Sequence, residues 1–214
     1  MNKRHFSKLL LSAPLVLFKT VRAQTLGSIP TQELKPYLQV KTVLGEENTV
    51  RVFFSPNCSF SKTYFGFFKN LANTLPPTKT FAFSPAINKM DGPAYALAYL
   101  AVLRFYPKYI GNFVQASFEG AQERMISTKA WAGIDKIAKA SGIPVPISKI
   151  VAANKEILIN DANTILKLQT AYQITNTPSV VVAGTYIVTP EFTSGDMSQF
   201  NQLVNGVISM TSPA

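Results

Sequence analysis

The chain reads as an α/β protein, a mixed sheet flanked by helices with a helical block inserted into it. Two runs rich in β-branched and aromatic residues, 49–55 and 78–86, have strand character. About 75 residues of helical spacing then separate them from a last pair of strands and a closing helix. Strands on both sides of a long helical stretch argue for one mixed sheet interrupted by an insertion.

"YLQVKTVLG" (37–45) alternates as a strand does, and "GEEN" turns the chain. "TVRVFFS" (49–55) is the second strand, stopped by Pro56 and Asn57. Phe60, Tyr64, Phe67, Phe68 and Leu71 then recur at helical spacing, which puts Cys58 at or just before the first turn of a helix. "TKTFAFSPA" (78–86) is a third strand, ended by Pro85. Asp91 is an N-cap candidate, and Pro93 an early proline, for the helix "AYALAYLAVLRFY". Pro107 interrupts it, and helical patterns follow at 108–118, 128–140 and 146–154. Asp161 reads as the cap of a helix running to about Tyr172. "SVVVAG" and "TYIVTP" form a hairpin turning at Ala183-Gly184, and Asp196 opens the final helix.

With 47% hydrophobic and 15% charged residues in 214, the chain can bury a full core and is not a disordered segment. Its first 23 residues stand apart. "MNKRHFSK" is basic, "LLLSAPLVLF" is a short apolar run, and "VRA" before Gln24 is a small-residue cleavage site, the pattern of a secretory signal peptide. The apolar run falls well short of the roughly 20 residues that a spanning helix needs. Lys19 and Arg22 close to the cut leave an uncleaved anchor as the alternative. Five of the 21 Lys and Arg and none of the 11 Asp and Glu lie in this segment, so the remainder carries a net +5. Those charges are spread out, without the clustered basic face that nucleic acid requires.

Export implies an oxidising compartment, the periplasm, where cysteines are commonly paired. Cys58 is the only cysteine and cannot form an internal staple. Either it reacts with other molecules or it is a small buried hydrophobe. A zinc site is excluded by the residues themselves, since the one histidine, His5, lies in the signal.

"VRVFFSPNCSFSK", followed about 120 residues later by "NTPSVVVAGTYIVTPE", resembles the DsbA-like branch of the thioredoxin superfamily across the whole mature chain. The resemblance implies a thioredoxin fold in two parts, 24–87 and 161–214, around an inserted helical domain, 88–160. It also implies that Cys58 is the nucleophile, that Ser59 and Phe60 are the variable residues between two cysteines, and that Ser61 stands where the second, resolving cysteine belongs. Thr177 and Pro178 match the cis-proline segment that presents backbone to an extended substrate. Val52 lies where the family often buries an acidic residue.

A thiol at a helix N-terminus meets unpaired backbone N–H groups and the positive end of the helix dipole, both of which favour the thiolate. The Ser59 and Ser61 hydroxyls can donate to the sulfur, and Lys62 can add charge or point to solvent. One thiol can exchange with a disulfide through a mixed disulfide but cannot store the electron pair that net oxidation requires. The expectation is therefore monothiol exchange or isomerase-type chemistry on cysteine-containing exported proteins. Glutathione is the one co-substrate to consider. The alternative is a non-catalytic peptide-binding or chaperone-like module of the envelope, linked to a secretion or conjugation assembly.

Overall fold

The computed structural model describes residues 35–212; the signal segment expected over 1–23 lies outside them. Five strands form one sheet in the order β1-β5-β4-β2-β3. β2 (Thr49–Phe54) runs parallel to the edge strand β3 (Thr80–Pro85) and antiparallel to the central strand β4 (Ser179–Val182). β4 turns back into β5 (Tyr186–Val188), and β1 (Leu38–Gln39) lies on the outer edge of β5.

The pleat divides the core. On one face Val50, Val52, Val180, Val182 and Val188 pack under α1 (Ser59–Thr74) and α7 (Met197–Met210), meeting Tyr64, Phe68, Phe200 and Val204. On the other, Phe53, Val181 and Ile187 pack against the helical block. That block comprises α2 (Gly92–Phe105), a 3-10 turn (Pro107–Tyr109), α3 (Ile110–Gln122), α4 (Trp131–Ala140), α5 (Ile147–Ala153) and α6 (Lys155–Ala171). Central strands covered on both sides read as apolar throughout, which is why "VFF" and "VVV" do not alternate with polar residues.

The hairpin turns at Ala183 and Gly184, both at positive φ, with Thr185 N–H donating to the Val182 carbonyl at 3.1 Å. Gly184 is required there, since a Cβ would stand 2.9 Å from the Val43 carbonyl oxygen.

Four local readings are corrected. The strand expected over 37–45 pairs only at Leu38–Gln39, because the chain then leaves the sheet edge, holding it through single bonds from Val40 and Val43 to the hairpin turn. On α1 the buried stripe is Ser61, Tyr64, Phe65, Phe68 and Leu71; Phe60 is half exposed and Phe67 only partly covered. Asp91 occupies the N-cap position of α2, but its carboxylate does not cap. Just ahead of the helix, the Asn88 side chain accepts from the Met90 and Asp91 amides, at 2.7 and 2.9 Å. Asp161 does not cap either: α6 begins at Lys155, runs through the 160/161 boundary, and carries Asp161 on its surface, paired with Arg104 at 2.7 Å.

Candidate active site

β2 ends at Phe54, and the chain crosses Ser55, Pro56 and Asn57 before α1 begins. Cys58 is the N-cap residue, extended at φ −91° and ψ 120°, with its N–H donating to the Ser55 carbonyl at 3.1 Å. No side chain caps the first-turn amides, so the sulfur is the group that the positive helix end meets. The thiol is half-buried and donates to the Thr177 carbonyl at 2.9 Å. The Thr177–Pro178 peptide bond is cis.

The remaining predicted site residues divide. Ser59 and Phe60 are exposed beside the thiol. Ser61 is fully buried, and its hydroxyl accepts from the Ser55 N–H at 3.3 Å, so it braces the turn. Lys62 points away to Glu123, bonded at 2.5 Å. Val52 is fully buried among the valines under α1 and α7.

Behind the turn lies a polar cluster that the linear pattern does not disclose. Asp91, fully buried, accepts from the Ser55 hydroxyl at 2.5 Å, the Asn57 amide at 2.6 Å and the Asn88 amide at 3.0 Å. Asn57 also donates to the Thr128 hydroxyl at 2.9 Å. From α3, Gln122 donates to the carbonyls of Pro56 and Cys58, at 2.8 and 3.0 Å. The helical block therefore grips the residues that present the thiol. Asp91-Gly92-Pro93 reads as an ordinary helix start, and nothing local ties it to Ser55, 36 residues earlier. A buried carboxylate needs such partners, because leaving it without them costs several kcal/mol.

Two grooves meet at Thr177, whose carbonyl receives the thiol, and Cys58 itself lines one of them. One, of about 310 Å³, is walled by Phe60, Pro178, Thr189, Pro190 and Gly195. The other, of about 410 Å³, contains Cys58, Asn57, Asn88, Met90, Gln169 and Ile174. Asn176, Thr177 and Glu191 border both. Among the described residues no helix is long and apolar enough to cross a membrane.

No family model matches the sequence, and neither does any curated protein. Solved structures do match. A variant of Pseudomonas aeruginosa DsbA aligns over 82% of this chain and 95% of its own, with a TM-score of 0.71 and 18% identity. A cysteine-to-serine variant of Proteus mirabilis DsbA, with a non-covalently bound peptide PWATCDS, aligns over 83% and 96%, with a TM-score of 0.68 and 18% identity. The Neisseria meningitidis oxidoreductase DsbA1 aligns over 82% and 91%, with a TM-score of 0.67 and 15% identity. The likeness is one of fold: a thioredoxin fold carrying a helical insertion, shared with DsbA disulfide oxidoreductases.

Proposed function

We propose that this protein is an exported monothiol exchange protein of the periplasm, acting through Cys58 on cysteine-containing proteins by way of mixed disulfides. The observation that carries the reading is the placement of the chain's one cysteine at the N-terminus of α1, lining one groove and 2.9 Å from the carbonyl of Thr177, which borders a second. Export rests on the basic and apolar run before Gln24.

The Cys58 thiolate attacks one sulfur of a partner disulfide. The old S–S bond breaks, a Cys58–partner disulfide forms, and the other partner sulfur leaves as thiolate. Ser61 offers no sulfur to reverse the adduct from within, and its hydroxyl is engaged with Ser55. Release then needs a second cysteine of the partner, which is isomerisation, or an external thiol such as glutathione. Ser59, Phe60, Thr177 and Pro178 form the surface on which an extended segment would lie, with backbone pairing giving tolerance of sequence.

The test is intact-mass detection of an adduct with a disulfide peptide. The wild type should form one adduct at Cys58 that persists until a thiol is added, and Cys58→Ala should form none. Ser61→Cys should shorten the adduct's lifetime by supplying a resolving thiol. Peptide binding by Cys58→Ala as tight as by the wild type, with no wild-type adduct, would establish the non-catalytic peptide-binding module instead.

A further inference from the structure

We infer that Glu191 gives the site a charge preference: it selects partner segments carrying a lysine or arginine within two positions of the reacting cysteine. The inference rests on the exchange reading above and adds the substrate class.

Glu191 is the one charged side chain that lines either groove beside Cys58, and it lines both. Its position is held. One carboxylate oxygen accepts from the Asn176 amide at 2.7 Å, which ties the charge one residue from the Thr177 carbonyl that receives the Cys58 thiol. Among the described residues it makes no ion pair, so its charge faces the grooves without a counter-ion. The nearby cations do not supply one. Lys62 is paired with Glu123, and Lys89 lies between the lining residues Asn88 and Met90 without lining the groove itself.

A second carboxylate adds to the field. Asp196 follows Gly195, a wall of the smaller groove, and caps α7 by accepting from the Gln199 N–H at 2.8 Å. Tyr64 lies close by, its hydroxyl donating to the Gly195 carbonyl at 2.8 Å. Its phenol is held above its ordinary range by burial first and by the Asp196 charge second. A negative potential over grooves otherwise lined by apolar and neutral side chains favours cationic segments over acidic ones.

The test uses three end-blocked pentapeptides, each with a central cysteine held as a mixed disulfide with thionitrobenzoate and flanked by lysine, glutamine or glutamate. The Cys58 thiolate, its proton given to solvent, attacks the peptide sulfur. The probe S–S bond breaks, the Cys58–peptide disulfide forms and thionitrobenzoate leaves as the coloured thiolate. In low salt the lysine probe should react about five times faster than the glutamate probe, a ratio that shrinks as salt screens the exposed charge. Glu191→Gln keeps an acceptor for Asn176 and should bring the ratio within about twofold of unity, and Glu191→Lys should reverse it. A wild-type ratio near unity, or one unchanged in Glu191→Gln, overturns the charge assignment and leaves exchange standing. Failure of all three probes to label Cys58 overturns the exchange reading and this inference with it.

Discussion

The two walls of the Cys58 site are built on opposite plans. The wall facing the helical block is clamped: a fully buried carboxylate, Asp91, gathers Ser55, Asn57 and Asn88, while Gln122 holds the carbonyls on either side of Asn57. The wall beyond the cis-proline is open, and its side chains Phe60 and Glu191 face solvent. A thiol must be held at a defined point to attack, whereas a surface that receives unlike segments gains from side chains left open to solvent. The clamped wall should therefore carry stability, and the open wall should carry choice of partner.

Asp91→Ala is the strongest way to break that contrast. It leaves the Ser55 hydroxyl and the Asn57 and Asn88 amides without their acceptor in a buried space. We expect a loss of about 3 kcal/mol in denaturant unfolding. Asp91→Asn, which keeps one acceptor oxygen, should lose less. An Asp91→Ala protein as stable as the wild type would mean that the cluster is not a clamp.

The contrast also explains what could be read in the chain. The hairpin, the Asp196 cap, the early Pro93 and the placement of Cys58 at the start of α1 are local patterns of turn residues, caps and periodicity, and each was legible. The thiol's neighbour across the sheet, Thr177-Pro178, came from resemblance to a known family, since nothing near position 58 points to a segment 119 residues away. The clamp was not legible. Asp91 satisfies the local rules for an N-cap, and only the packed fold shows that its carboxylate turns inward to Ser55 and Asn57 and leaves the first-turn amides without a side-chain cap. The buried stripe on α1 departs from the simple helical period for a related reason. Phe60 fits a helical period, but at the helix's first turn it overhangs the groove instead of facing the sheet.

A second prediction bears on the junction behind the clamp. Tyr99 of α2 donates to the Phe83 carbonyl of β3 at 2.6 Å, and burial holds its phenol far above its ordinary range. Its raised folded-state value means that its contribution to stability is complete below pH of about 10 and is lost as pH climbs, because the unfolded chain ionises first. The loss from this group alone should run at about 1.4 kcal/mol per pH unit above that point. Tyr99→Phe should cost about 1 kcal/mol at pH 8 and flatten the alkaline limb of a stability-against-pH curve. An equally steep limb in the variant would show that Tyr99 does not govern it.

The smallest expected stability effect belongs to the open wall. Phe60 is 50% exposed, and its ring lies against Gly195 at the rim of the smaller groove, where a Cβ on that glycine would stand 3.5 Å away. Much of its apolar area is already in water in the free protein, so Phe60→Ala should change unfolding stability by no more than about 0.5 kcal/mol. The same ring would be covered by a segment lying along the groove. Adduct formation with a probe bearing leucine beside its cysteine should therefore slow several-fold in the variant, while a glycine-flanked probe should slow less. A loss of stability comparable to that of Asp91→Ala would make Phe60 part of the scaffold and erase the division between the two walls. Unchanged kinetics with both probes would place the partner on the larger groove, against Met90 and Ile174.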